Sequence, residues 1–384
     1  MPDSSFLSWP FFEDRHRTLA RDLDDWSRDR LGSVDHADTD AACISLVAML
    51  GEAGWLAHSA IDPDDPGTLD VRSLCLIRET LARHDGLADF AFAMQGLGMG
   101  AVSLFGTPEH REWLHQTRAG RKLSAFALSE PRSGSDVANI EMSAVPDGNG
   151  YRLNGEKTWI SNGGIADVYT VFARTDAAGG SKGLSAFLVP ADTPGLTVAE
   201  RLDVMAPHPL ARLSFEDVKL DAPAMIGLPG EGFKIAMSVL DVFRSTVAAA
   251  ALGFARRALD AALDRVRTRE LFGAPMSELQ MVQGHIADMA VDVDAAALLV
   301  YRAAWTKDMG APRVSREAAM AKLFSTDQAQ RVIDKAVQLH GGDGVRVGCI
   351  TETLYREIRA LRIYEGASDV QKIVIARSVI GGGA

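Results

Sequence analysis

The chain has 384 residues, 47% hydrophobic and 24% charged, with 51 acidic against 40 basic side chains and a net charge of −11. That length supports a large core and two or three domains, and the acidic balance argues against nucleic acid or an anionic membrane as the main partner. Cys43, Cys75 and Cys349 never form a CxxC, and nine histidines show no HExxH pattern, so neither a metal centre nor a disulfide framework is expected. The N-terminus, "MPDSSFLSWPFFEDRHR", mixes acids and aromatics where an export signal carries a basic apolar run, which predicts a cytoplasmic location. Residues 1–121 read as an α-helical domain. In "LCLIRETLARHDGLADFAFAMQGLG" (74–98) apolar positions recur every three or four residues, with Gly86 and the Gly96/Gly98/Gly100 cluster read as breaks. Residues 122–228 change texture to short β-type runs such as "DVYTVFAR" and "GLSAFLVP", which predict a small barrel or sandwich. Asn154-Gly155 inside "YRLNGEKTWI" predicts a tight hairpin turn, because both residues tolerate positive φ. Residues 229–384 return to long helical patterns and predict a four-helix bundle. Its most apolar stretch, "STVAAAALGFA" (245–255), is closed by Arg256 and Arg257 and is too short to span a bilayer.

Five segments carry possible chemistry, and each has an ordinary structural reading beside the chemical one. "FALSEPRSGSD" (126–136) is a loop whose exposed N–H groups can meet a phosphate or a ring edge, or simply a solvated turn. "EKTWISNGG" (156–164) places Trp159 and Ser161 on one strand face, as a ligand surface or as a core aromatic with an exposed serine. In "RTRELFG" (267–273), Arg269 and Phe272 can meet a pyrophosphate and an adenine, or cap and pack a helix. "QLHGGDG" (338–344) ends a helix in glycines, giving close backbone approach or an ordinary C-cap. In "RIYEGASDVQ", Glu365 occupies a turn, and Ser368 with Gln371 predicts a capping box opening the last helix. An acid there is favoured by the helix dipole in any protein, while its apolar flanks would raise its pKa and suit proton abstraction.

Taken in order, these segments resemble the acyl-CoA dehydrogenase family of flavoproteins over essentially the whole chain. "SEPRSGSD" resembles the family's TEPxxGSD segment, and "YRLNGEKTWISNGGIADVYTVFARTD" is close to its consensus. "RELFGAPMSELQ", "QLHGGDG" and "IYEGASDVQKIVIAR" match its nucleotide-binding and catalytic segments. The resemblance implies an α+β multi-domain fold and an FAD cofactor. Phe126, Leu128, Ser129, Gly134, Ser135, Trp159, Ser161, Ala367 and Asp369 match positions that contact FAD. Arg269, Phe272, Gln280, Gln338, Gly341 and Gly342 match residues that reach the FAD of a neighbouring subunit, which implies a homo-oligomer, a tetramer built from dimers. Ser135, Asp241, Arg244, Tyr364 and Gly366 match substrate-contacting positions. Glu365 matches the base that removes an α-proton of an acyl-CoA while the β-hydrogen leaves as hydride, electrons then passing to an electron-transfer flavoprotein.

Some relatives place the base one residue before the arginine of an LDxxR-like segment; here that residue is Phe243, so no rival carboxylate stands there. The family's SDTR-type segment is replaced by "APHPLARLSFEDV" (206–218), Ala367 stands where threonine is commoner, and Arg132 is an unusual cation in "SEPRS". Two alternatives stay open at this level: an acyl group carried on an acyl carrier protein, and a flavin oxidase or monooxygenase of the same fold.

Overall fold

The computed structural model describes residues 3–381 of the chain. Five helices come first: α1 (Asp14–Arg30), α2 (Thr39–Glu52), α3 (Val71–His84), α4 (Gly86–Phe105) and α5 (Arg111–Arg118). Eight strands follow: β1 (Ser124–Ala127), β2 (Ser143–Asp147), β3 (Gly150–Ser161), β4 (Val168–Arg174), β5 (Leu184–Pro190), β6 (Leu196–Arg201), β7 (Leu210–Asp221) and β8 (Met225–Ile226). The chain then runs through α6 (Gly232–Thr268), a short hairpin of β9 (Glu270–Leu271) and β10 (Ala274–Pro275), α7 (Gln280–Asp308), α8 (Ser315–His340), α9 (Ile350–Leu361) and α10 (Ser368–Ile380). The expected succession of helices, a β region and long helices is therefore present. The chain divides into two compact units, with boundaries at 32/33, at 69/70, and inside α4 and α6. A helical unit comprises Met1–Gly32, Asp70–Asp89 and Asp241–Ala384; a sheet unit comprises Ser33–Leu69 and Phe90–Leu240.

In the sheet unit the strands lie in the order β6-β7-β3-β2-β4-β5-β8, with β1 parallel to β4. β2 meets β4 at one parallel pair, Ser143 with Arg174, so the sheet consists of two largely antiparallel halves. Alternation along β7 turns Ala211, Leu213 and Phe215 inward, and these share one core with Leu153 of β3, Val171 of β4 and Phe187 of β5.

Asn154 and Gly155 do not make the β2–β3 turn. That turn is Asp147–Gly150, with Gly148 at φ 61°. The expected turn pair sits inside β3 as a bulge: the register against β7 shifts between Leu153 and Gly155, and Gly155 takes φ 144°. The Asn154 side chain is engaged across the strands, accepting from the Asp217 N–H at 2.8 Å and donating to Asp217 Oδ1 at 3.2 Å. Nor do Gly96, Gly98 and Gly100 break α4, which runs through all three. Gly98 is a packing notch: its carbonyl accepts from Thr170 Oγ1 at 2.7 Å, and a Cβ there would lie 2.8 Å from the Ala125 nitrogen.

In the helical unit α8 packs against α7, α9 and α10, and α3 packs against α1 and α7. Several charges buried inside this unit are paired. Arg78 donates twice to Asp89 at 2.8 Å, and Arg256 donates to Glu79 at 2.6 Å. α4 and α6 are long and apolar enough to cross a membrane by length and composition, but most of both is buried within the fold, as in core helices of soluble proteins.

Candidate functional site

The turn between α9 and α10 holds Glu365 in the left-handed region at φ 51°, followed by Gly366 at φ 93°. A glutamate pays a steric cost in that conformation, so the surrounding structure has to impose it. α8 supplies the constraint from below. Lys322, fully buried, donates from Nζ to the Tyr364 carbonyl at 3.0 Å and to the Gly366 carbonyl at 2.7 Å. One turn further along α8, Asp327 Oδ1 accepts from Arg362 Nε at 2.7 Å and from Ser368 Oγ at 3.1 Å. The buried Gln371 amide adds a bond to the Gly366 carbonyl at 2.8 Å. Gly366 has no alternative residue: besides its positive φ, a Cβ would strike the Gln371 amide nitrogen.

Ser368 therefore does not act as the expected cap. It is the first residue of α10, Ala367 is the N-cap with no side-chain cap bond, and the serine hydroxyl is committed to Asp327. The capping-box pattern was outcompeted by tertiary partners, with Gln371 turned back to Gly366.

Glu365 is half-buried, and its Oε2 is out of reach of solvent with no hydrogen-bond partner. Burial raises its pKa to about 7, against the pull of the Arg78, Lys322 and Arg244 charges and with a small push from Asp89. Lys322 moves the opposite way, down to about 8, because burial disfavours its charge more than Glu365 supports it. Arg244, also buried, donates to Asp241 Oδ1 at 2.9 Å, and Asp241 Oδ2 accepts from Ser315 Oγ at 2.6 Å. Tyr364, Arg244 and Asp241 thus accompany Glu365 in the helical unit, as does Ala367, while Asp369 is exposed. Phe243 is a buried core side chain. Such an unpartnered, sheltered carboxylate with a pKa near neutrality is equipped to accept a proton.

Elsewhere in the helical unit, Arg269, Phe272, Gln280, Gln338, Gly341 and Gly342 are all exposed. Phe272 does not pack on the preceding helix. It stands at the tip of the β9–β10 hairpin at φ 53°, 95% exposed, with Gly273 beside it at φ 81°. Gly341 ends α8 at φ 62°, and a Cβ at Gly341 or Gly342 would meet nothing within 4 Å, so the backbone there is open to close approach.

In the sheet unit, a buried ion pair organises the 126–136 loop. Glu130 accepts from the Met142 N–H at 3.0 Å and from Lys157 Nζ at 2.8 Å, and Lys157 also donates to the Leu128 carbonyl at 3.0 Å. Burial lowers the pKa of Lys157 to about 8, against the Glu130 charge. The loop is tied to β3 by the Thr158 N–H donating to the Ser129 carbonyl at 3.0 Å. Next along β3, Trp159 is at φ 60° where the register against β7 shifts, and it is 61% exposed, not part of the core. Ser161 is partly exposed beyond it, Phe126 is partly exposed, Leu128 is buried, and Gly134 and Ser135 are exposed with open space at Gly134. The hydroxyls of Ser129 and Ser135 have no partner among the described residues. An aromatic surface held outward, free hydroxyls and unobstructed glycine backbone fit a flat heteroaromatic cofactor with a phosphate tail.

Arg132 is exposed and ion-paired with Glu141. The departing 206–218 segment enters β7, with the Pro209 carbonyl accepting from the Asn162 N–H at 2.9 Å and the His208 ring 4.4 Å from that of Phe90. Sequence reasoning does not single out Lys322, Asp327, Arg78, Glu130 or Lys157. The one local signal at Lys322 is a lysine embedded among small apolar residues in "AAMAKLF".

The chain matches the acyl-CoA dehydrogenase middle domain over residues 125–218 and the C-terminal domain over residues 230–380. It is 38% identical over 370 residues to the short-chain specific acyl-CoA dehydrogenase, mitochondrial, of Homo sapiens, covering 94% of this chain and 89% of that protein. The butyryl-CoA dehydrogenase of Megasphaera elsdenii superposes with a TM-score of 0.88 at 33% identity, covering 96% of this chain and 99% of that one. A chain from the study of the electron transferring flavoprotein of Acidaminococcus fermentans superposes with a TM-score of 0.89 at 34% identity, covering 96% and 98%. This chain belongs to the acyl-CoA dehydrogenase family.

Proposed function

We propose that the chain catalyses the α,β-dehydrogenation of a short acyl-CoA thioester to the trans-2-enoyl-CoA, with Glu365 as the base. The observation that carries this reading is the Glu365 carboxylate, sheltered, unpartnered at Oε2 and raised to about 7. The chain is an FAD-dependent oxidoreductase of acyl-CoA, and bound FAD supplies the acceptor for the β-hydrogen, which leaves as hydride. By the family resemblance, Ser129, Ser135, Trp159, Ala367 and Asp369 would hold it. Arg269, Phe272, Gln280, Gln338, Gly341 and Gly342 would serve the FAD of a second copy in a homotetramer.

Glu365 takes the α-proton at Oε2. Its backbone N–H has no acceptor among the described residues and is free to donate to the thioester oxygen, where negative charge develops. By the family resemblance, Ser135, Asp241, Arg244, Tyr364 and Gly366 would contact the substrate. The names of the human and Megasphaera relatives support a short chain, and butyryl-CoA is the substrate to try first. The relationship to the Acidaminococcus chain supports an electron-transferring flavoprotein as the final acceptor.

The test is anaerobic bleaching of the yellow FAD-loaded protein by butyryl-CoA. Glu365→Gln should remain yellow and folded while bleaching slows by at least about 10²-fold, the contribution typical of a positioned base. The wild-type rate should rise with pH through about 7, since the base works only when ionised. Bleaching at the wild-type rate in the variant would remove Glu365 from the role.

A further inference from the structure

We propose that Lys322 is the positioning residue of the base: a single buried ammonium that holds the carbonyls on both sides of Glu365 and so fixes where its carboxylate points. This inference rests on the reading of Glu365 as the base and adds a residue that acts through it. The geometry is specific. Nζ of Lys322 donates to the Tyr364 carbonyl at 3.0 Å and to the Gly366 carbonyl at 2.7 Å, bracketing residue 365. With both neighbouring peptides anchored to α8, Glu365 is kept in its left-handed conformation, and the strain of that conformation is offset by two charge-assisted hydrogen bonds. A lysine side chain with no solvent exposure carries a large desolvation cost, which ordinary helix packing gives no reason to accept. Asp327 does not substitute for it, because it grips Arg362 and Ser368, the ends of the turn and not its centre.

The same ammonium acts on the charge of the base. The charged groups that act on Glu365 are Arg78 of α3, Lys322 of α8, Arg244 of α6 and Asp89 of α4, while Asp327 and Arg362 act on Lys322 and Glu357 acts on Tyr364 beside the base. Asp89, Asp241 and Asp327 are each committed to a cation or hydroxyl, Asp89 to Arg78, Asp241 to Arg244 and Ser315, and Asp327 to Arg362 and Ser368. Lys322 instead bonds only to carbonyl oxygens, so no carboxylate is paired with it, and Glu365 is the first carboxylate its charge acts on. Removing that charge makes the Glu365 carboxylate harder to ionise, so its midpoint moves up from about 7 and a larger fraction of the base is protonated at neutral pH.

The experiment compares FAD-loaded wild type, Lys322→Met, Lys322→Gln and Glu365→Gln. FAD content and melting establish loading. Without substrate, the protonated carboxyl stretch that disappears in Glu365→Gln is titrated by infrared difference spectroscopy. Anaerobic bleaching by butyryl-CoA is then followed against pH. Lys322→Met and Lys322→Gln should raise the carboxyl midpoint by about one pH unit. They should slow bleaching at pH 7 by roughly tenfold or more, with the butyryl-CoA concentration for half-maximal rate nearly unchanged, as expected when a base is misplaced and substrate binding is not. The rate deficit should narrow, without vanishing, as pH rises past the new midpoint.

Loaded variants with an unchanged midpoint and unchanged rate overturn the inference. So does failure of both variants to fold and load FAD, since Lys322 is then a support of the bundle as a whole. If Glu365→Gln itself bleaches normally, the assignment of the base fails; if it is inactive while the Lys322 variants behave as wild type, only the role of Lys322 fails.

Discussion

A residue kept ready to take a proton is kept at a cost to the fold, and Glu365 shows where that cost falls. Its folded pKa of about 7 lies above the unfolded value of 4.5, so the folded state holds the proton more tightly than the unfolded one. The stability associated with the neutral carboxyl is complete below pH 4.5 and is lost as pH rises through 7. The full shift corresponds to about 3 kcal/mol, and about 2 kcal/mol remains after discounting for the solvent that reaches the rest of the residue. Glutamine has no such charge to bury. Glu365→Gln should therefore melt at a higher temperature than wild type at pH 8, with the two curves converging near pH 4.5. Equal melting temperatures across that range would mean that the carboxylate is solvated in the folded protein. The same residue shows what sequence can and cannot convey at this scale. The acid, its apolar flanks and Gly366 are legible in "IYEGAS" because they are local. Lys322 is 43 positions away and acquires its meaning only when α8 passes beneath the turn.

At the scale of elements, β3 carries the outward-held Trp159 proposed to meet the cofactor, and its shape depends on a buried charge pair. Lys157 and Glu130 are enclosed, and together they tie β3, the Leu128 carbonyl and the start of β2 into one frame. Lys157→Met should leave the Glu130 carboxylate buried without its cation and cost about 3–5 kcal/mol. The double variant Lys157→Met with Glu130→Gln should recover a large part of that loss in melting. Both should retain less FAD after gel filtration than wild type, because Trp159 and Ser129 lose their common support. Full FAD retention in a destabilised Lys157→Met protein would detach the pair from the cofactor surface. The long helices and the β texture are legible because both rest on periodicity within a segment: the proline-free helical runs 281–308 and 316–340 lie within a residue of α7 and α8 at each end. The errors were of one kind. Asn154-Gly155, Gly98 and Ser368 all carry strong local signals, and each is engaged by partners distant in sequence: Asp217, β1 with the Thr170 hydroxyl of β4, and Asp327.

At the scale of the whole molecule, six residues matched to a nucleotide-binding role are exposed, and Phe272 is the most telling. A phenylalanine 95% exposed, at positive φ on the tip of a hairpin, has given up both burial and backbone ease. Core packing explains neither concession, whereas stacking on the adenine of a neighbouring copy's FAD would explain both. The sequence carries the motif "RELFG" but not the hairpin that projects it, since β9 and β10 are only two residues each and lie below the length at which periodicity can be read. If the FAD site is completed by a second copy, holding the cofactor depends on assembly. Dilution of the wild type through its dissociation range should then release FAD in parallel with the fall in mass seen by light scattering. Phe272→Ala should weaken FAD binding by roughly tenfold, within the range for one aromatic–base stack. Its melting, measured without FAD, should match that of wild-type protein stripped of FAD, because an exposed side chain contributes little to the fold of its own chain. A wild type that remains fully loaded as a monomer would place the whole FAD site within one copy and leave the exposure of Phe272 to some other contact.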